Sequence, residues 1–129
     1  MASFEGMSPG IKRILVVEDD DGISEVIQLA LLQETVYNPI LVTNSYEALK
    51  TANKEKPDLF IIDYRLSDMN GIDLYDKLHA FEQLKDVPTI ITSASIEQYE
   101  QELVRRNLVG IGKPFELDDL LNTIKRLVD

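Results

Sequence analysis

The sequence predicts a doubly wound α/β domain, a five-stranded parallel sheet covered by five helices. Three observations carry that prediction. Short apolar runs alternate along the chain with segments whose apolar residues recur at helical spacing. The run Leu59 to Ile62 is apolar at every position, as in a strand buried on both faces of a parallel sheet. Chemistry-bearing residues sit where the runs stop: Glu18-Asp19-Asp20-Asp21 after Val17, Asp63 after Ile62, and Lys113 after the run that includes Ile111. Open α/β sheets place their sites at such strand ends.

Each element follows in order. Ile14 to Val17 is β-branched and apolar, a first strand. After Gly22, residues Ile23, Val26, Ile27, Ala30 and Leu31 recur at helical spacing, so a helix runs to about Glu34. One of the four acids, Asp21, is expected to cap it. Asn38-Pro39 reads as punctuation and Ile40 to Thr43 as a second strand. Asn44 with Glu47 resembles a capping box that opens a helix through Ala48, Leu49 and Ala52. Pro57-Asp58 then introduces the third strand. Asn70 is a candidate N-cap, and Gly71 is read as free to take a backbone shape other residues resist. The third helix should carry Leu74, Leu78 and Phe81 inward. Thr89 to Thr92 is the fourth strand, ending in Ser93-Ala94-Ser95. Ser95 with Gln98 again resembles a capping box, opening a thinly apolar helix from Ile96 to about Arg106 that should be the most weakly held. Leu108 to Ile111 is the fifth strand. Leu117, Leu120, Leu121, Ile124, Leu127 and Val128 give the last helix a clear stripe.

With 129 residues and 44% hydrophobic content, one domain can bury a core. It is expected over residues 12–129, behind a flexible N-terminal extension at 1–11. Net charge −10 argues against nucleic acid and anionic membrane as partners, and favours cations or basic surfaces. Cysteine is absent, which removes disulfides, thiolate metal sites and cysteine nucleophiles. No apolar run approaches membrane-spanning length, and Met1 to Gly10 lacks the regions of a signal peptide. The expected location is cytoplasmic.

Strand order is not readable from one sequence. The doubly wound order 2-1-3-4-5 puts the first and third strands side by side, and the site depends on that adjacency. Neighbouring strands lie about 4.8 Å apart, so Asp19 and Asp63 would face one crevice within reach of a single ion. Oxygen ligands without His or Cys suit a hard cation, and few ligands with much water suit Mg²⁺. Lys113 could reach across to neutralise an anion held at Asp63. Ser93 offers a hydroxyl, and Thr92 competes for that role. Bland readings stand beside these: a strand-ending Asp63, a solvated acidic turn, an exposed loop lysine, a turn serine. Without Mg²⁺ the clustered acids would lack any cation, and two unit charges about 4 Å apart repel by about 4 kcal/mol at an effective dielectric near 20. His79 reads as a solvated helix residue far from the strand ends.

Together these positions resemble the response-regulator receiver domain of two-component phosphorelays. The resemblance runs from about Lys12 to the C-terminus. It rests on Glu18-Asp19, Asp63, Gly71 eight residues later, Ser93-Ala94, and Lys113-Pro114-Phe115. It implies a flavodoxin-like fold of order 2-1-3-4-5. It implies Asp63 as phosphoacceptor, with Mg²⁺ bound by Asp19, Asp63 and the Arg65 carbonyl, and by Glu18 through water. Lys113 would pair with phosphoryl oxygens, Ser93 would be the switch hydroxyl, and the Lys113-Pro114 bond would be cis. The donor would be a sensor histidine kinase or a histidine phosphotransfer protein; the downstream target is open. Such a domain assists its own phosphotransfer and autodephosphorylation but turns over no separate substrate. Departures are Ser67 in place of a usual proline, expected to loosen the loop after Asp63, and Gly110 in place of a usual aromatic. One rival is a phosphorylation-independent binding module of the same fold, which would need none of the site residues. Another is an aspartyl-phosphate hydrolase, which would want a general acid where Arg65 stands.

Overall fold

The computed structural model describes residues 10–129, so residues 1–9 of the expected extension lie outside the described residues. Strands β1 (Arg13–Val17), β2 (Asn38–Val42), β3 (Leu59–Asp63), β4 (Thr89–Ser93) and β5 (Val109–Gly112) form one parallel sheet in the order β2-β1-β3-β4-β5. The helices are α1 (Asp21–Glu34), α2 (Ser45–Glu55), α3 (Gly71–His79), α4 (Glu100–Arg105) and α5 (Leu117–Val128). Single 3₁₀ turns lie at Glu82–Leu84 and Ile96–Tyr99. The doubly wound class and the strand order are those expected.

Alternation along the strands builds two cores. Ile14, Val16, Leu59, Ile61 and Ile90 face α1 and α5, where they meet Ile27, Leu31, Leu120, Leu121 and Ile124. Their neighbours Leu15, Val17, Phe60, Ile62 and Ile91 face α2, α3 and α4, against Ala48, Ala52, Leu74, Leu78 and Leu103. Fully burying a side chain of this size contributes roughly 1.5–3 kcal/mol. Because successive side chains point to opposite faces, the parity of each strand also decides where its terminal polar residue projects.

Several local readings are corrected. Asn38 and Pro39 belong to β2 rather than to a turn. β2 is an edge strand, where a missing N–H costs no ladder bond. The cap of α1 is Asp20, whose carboxylate accepts from the Ile23 amide at 3.0 Å, while Asp21 sits inside the first turn. α3 stops at His79, so Phe81 lies beyond it in extended backbone and is 40% exposed. Ser95 forms no side-chain cap. Its amide instead donates to the Ser93 hydroxyl at 3.0 Å, and the following turn winds as 3₁₀ before the short α4. β5 begins one residue late, because the Leu108 amide still closes α4 onto the Leu103 carbonyl. Leu103 is the only buried residue of α4, in line with its expected weak hold. His79 is half-buried rather than solvated: its Nε2 is 3.0 Å from the Val87 carbonyl and its ring lies 3.9 Å from that of Tyr75.

Gly71 is required by a close approach. A Cβ there would stand 2.5 Å from the Asp63 carbonyl oxygen and 2.9 Å from Ile62 Cγ2. Gly71→Ala therefore forces the backbone after Asp63 to move, and overpacking of this kind costs about 1–3 kcal/mol. Thermal or urea unfolding should show that loss; a variant as stable as wild type would mean the loop yields freely.

Burial holds the His79 pKa below its ordinary 6.5, against the Val87 carbonyl, Asp86 and Asp76, which favour the charged ring. The unfolded chain therefore binds more protons just below pH 6.5 than the folded one. The stability His79 contributes is full above 6.5 and is lost as pH falls toward the folded pKa. Wild type should lose melting temperature between pH 7.5 and 5.5, and His79→Gln should lose less. Equal losses in the two proteins would remove His79 as the cause.

Candidate functional site

At the carboxyl edge of the sheet, Glu18, Asp63 and Lys113 each extend the set of strand residues facing α1 and α5, so their side chains project to the same side. Lys113 Nζ lies 2.8 Å from Asp63 Oδ1 and 3.0 Å from Glu18 Oε1. Glu18 and Asp63 are buried, and Asp19 beside them is exposed. One carboxylate oxygen from each of Glu18, Asp19 and Asp63 lies within 4.8 Å of the others. The structure thus brings together the acids and the lysine singled out in the sequence. The Lys113-Pro114 bond is cis, as the resemblance implies.

The expectation that the acids lack any cation without a metal is corrected. Lys113 reaches across from β5 and pairs with two of them. Burial raises the pKa of Glu18; the hydrogen bond from Lys113 works against this, and the charge of Asp63 adds to it. For Lys113, burial alone would lower the pKa, but the hydrogen bonds to Asp63 and Glu18 outweigh it and the ammonium is held above its ordinary value.

Asp63 uses its two oxygens differently. Oδ1 takes Lys113 and, at 3.5 Å, the Thr92 hydroxyl. Oδ2 makes no hydrogen bond among the described residues. No buried side-chain polar atom among them lacks a partner, so Oδ2 must reach solvent. Ser93 is buried with its hydroxyl engaged by the Ser95 amide, and Thr92 is the residue whose hydroxyl touches Asp63. Parity was the available signal: Thr92 follows Ile90 toward the α1 and α5 side, whereas Ser93 points the other way.

Arg65 is exposed on the loop after Asp63 and bridges to Asn70, while the Gly71 amide donates to the Tyr64 carbonyl at 2.7 Å. Ser67 is exposed, yet the loop is anchored: Leu66 is buried, and the Asp68 carboxylate accepts the Ser45 hydroxyl at 2.6 Å. At Gly110 a Cβ would fall 2.7 Å from Leu103 Cδ1 and 2.8 Å from Ile96 Cγ1, so these two side chains fill the space that a larger residue would take. The aromatic pair near the site is instead Tyr64 on Tyr99, with ring centroids 3.9 Å apart and planes inclined by 20°. Sequence reading did not pair them.

Lys113→Ala would leave three close carboxylates with no cation. Removing one partner of a buried ion pair costs about 3–5 kcal/mol. The variant should melt well below wild type in EDTA, and millimolar Mg²⁺ should raise its melting temperature more than it raises that of wild type, because no ammonium competes with the metal. Unchanged melting in EDTA would show that the acids do not depend on Lys113.

Comparison with known proteins agrees with this geometry. A family model described as the response regulator receiver domain matches residues 14–125. Probable transcriptional regulator ycf29 of Porphyra purpurea is 29% identical over 119 residues, covering 89% of this chain but 56% of that protein. The chain thus spans little more than half of that relative. The polar-differentiation response regulator DivK of Brucella anthropi is 27% identical over 116 residues, covering 88% of this chain and 94% of DivK. The solved receiver domain of the sensor histidine kinase PA1611 of Pseudomonas aeruginosa superposes with a TM-score of 0.82 at 26% identity, over 92% of this chain and 98% of that one, and holds a magnesium ion in its active site cleft. On the family match and the strand-end site together, this chain belongs to the response regulator receiver domain family.

Proposed function

We propose that this receiver domain, residues 12–129, takes a phosphoryl group from a phosphohistidine donor onto Asp63 and changes conformation to signal. The observation that carries the assignment is the division of Asp63. Lys113 holds Oδ1, and Oδ2 is unbonded among the described residues and reaches solvent. In the reaction Oδ2 attacks phosphorus, the P–N bond to the donor imidazole breaks, and its electron pair returns to that ring. Asp63 serves as the nucleophile in its ionised form, so the step needs no general base. Lys113 stands where it can turn toward the phosphoryl oxygens and offset their charge. Ser93 is the proposed switch hydroxyl, with Thr92 already in contact with Asp63.

Donor chemistry supports a Mg²⁺ site. Glu18, Asp19 and Asp63 offer oxygen ligands alone, close enough together for one small hard cation. Asp19, Asp63 and the Arg65 carbonyl would hold it, with Glu18 acting through water. When bound, Mg²⁺ supplies positive charge that stabilises the transferring group.

The donor is a sensor histidine kinase or a histidine phosphotransfer protein. An apolar groove of about 580 Å³ flanks Lys113, walled by Ile23 and Val26 on α1 and by Pro114, Phe115 and Leu117 opposite, which suits the docking of such a donor beside Asp63. The proposed location is cytoplasmic; among the described residues no helix is long and apolar enough to cross a membrane. The domain works on no separate substrate, and loss of the phosphoryl group is its own autodephosphorylation.

Incubation with Mg²⁺ and acetyl phosphate, read by intact mass, tests the assignment. Wild type should gain one phosphoryl group and Asp63→Asn none. No gain by wild type would favour a phosphorylation-independent binding module, and gain by Asp63→Asn would assign the wrong acid.

A further inference from the structure

We infer that Asp68 is a positioning residue for the metal site, which it never touches: it latches the loop carrying Arg65 to the N-terminus of α2. The inference rests on the proposed Mg²⁺ reading and adds a residue to it.

The first N–H groups of any α-helix have no partner within the helix. In α2 each of the first three is accounted for. The Glu47 amide goes to Asn44 Oδ1 at 2.9 Å, which is the expected N-cap. The Ser45 amide goes to both oxygens of Asp68 at 3.2 Å, and the Tyr46 amide to Asp68 Oδ2 at 3.3 Å. The Ser45 hydroxyl is a third donor to Asp68, at 2.6 Å. Ser45 is buried, so its hydroxyl and amide fix where the carboxylate can sit. A carboxylate at a helix N-terminus also gains from the partial positive charge there.

Asp68 comes from 23 residues further along the chain, in the loop after Asp63. The two ends of that loop are tied to each other, through the Gly71 amide to the Tyr64 carbonyl and through the bridge between Arg65 and Asn70. Its middle contains Ser67, which imposes no backbone restriction; buried Leu66 gives it an apolar anchor and Asp68 gives it the polar one, to α2. The far side of the latch leads back to the acids. α2 follows β2 directly, and the Val42 carbonyl at the end of β2 accepts the Glu18 amide at 3.1 Å. A path therefore runs from Glu18 through Val42 and Ser45 to Asp68 and on to Arg65. Cutting it at Asp68 removes the polar tie between α2 and the loop that presents Arg65, and so loosens that loop, while leaving Glu18, Asp19 and Asp63 in place.

The test is isothermal titration of MgCl₂ into unphosphorylated wild type, Asp68→Ala, Asp68→Asn and Asn44→Ala. Asn44→Ala removes a cap from the same helix end without releasing the loop, so it reports the effect of weakening α2 alone. Loss of an outer-shell partner lowers metal affinity by about 10–100-fold. Asp68→Ala should fall near the lower end of that range, and Asn44→Ala should bind as wild type does even where its melting temperature drops as far. Should Asp68→Ala not fold, Asp68→Asn carries the same comparison. Wild-type affinity in the Asp68 variant, or equal weakening in both the Asp68 and Asn44 variants, would overturn the latch. Wild type that binds no Mg²⁺ would overturn the metal reading and the latch together, and so is distinct from failure of the latch alone.

Discussion

Three carboxylates gathered within 4.8 Å need a cation among them, and Lys113 is that cation. Much of the carboxyl edge follows from the need to deliver it. Lys113 leaves β5, two strands away from β3, and must pass over the end of β4 to reach Asp63. β4 ends in Thr92 and Ser93 and is followed by Ala94, small residues that leave that passage open. The Lys113 amide donates to the Ser93 carbonyl at 2.9 Å, which fixes where the side chain starts. A bulky residue at the end of β4 would block the lysine, and a different strand order would put it out of reach. The ammonium then divides itself between Glu18 and Asp63. That sharing leaves one oxygen of Asp63 without a hydrogen bond among the described residues, so the feature that stabilises the acids also leaves an acceptor open.

The fold class, the strand ends and the charged members of the site were legible because each rests on a local signal. Apolar runs mark buried strands, helical spacing marks the covering helices, and a polar residue directly after a run marks the edge. What was less legible depends on tertiary partners. Asp20 rather than Asp21 caps α1 because the helix begins one residue earlier, inside the acidic run, than the glycine suggested. Pro39 belongs in a strand only because β2 is an edge, and edge position is a property of the sheet. The Ser95 capping signal lost to the Ser93 hydroxyl, which takes the Ser95 amide first. The need for Gly71 was visible, but its reason, the neighbouring Asp63 carbonyl, was not.

The opposite face of the sheet is organised around what Gly110 leaves out. With no side chain there, Ile96 and Leu103 pack directly against β5 and draw α4 and its preceding turn inward. Few other anchors hold this region. The main polar tie is Arg106, which forks onto both oxygens of Asp76 on α3 at 2.8 and 2.9 Å and reaches Glu102 with its remaining nitrogen at 2.8 Å. Tyr99, at the end of the 3₁₀ turn, stacks on Tyr64, the residue next to Asp63. Parity again explains the meeting: Tyr64 follows Phe60 and Ile62 toward the α4 side, whereas Asp63 points away from it. Asp63 at the end of β3 and Tyr64 directly after it thus address the acidic crevice and the most lightly anchored helix.

Thr92 and Ser93 divide the far side of the crevice in the same way, and the division bears on how a phosphoryl group on Asp63 would be felt. The group brings about −1.5 to −2 charge and several strong acceptor oxygens where a single carboxylate charge stood. Lys113 has one ammonium, so turning toward the new oxygens weakens its hold on Glu18. The Thr92 hydroxyl is already directed at Asp63 and can respond without moving the backbone. The Ser93 hydroxyl must first release the Ser95 amide. A neutral hydrogen bond of this kind is worth about 0.5–1.5 kcal/mol net, less than the roughly 1.5–3 kcal/mol of one made to a charged group. The exchange is therefore downhill for Ser93, and what it gives up is the bond that sets the backbone at the start of the 3₁₀ turn. Through that turn the change reaches Tyr99 and α4, so of the two hydroxyls it is Ser93 whose response would leave the crevice.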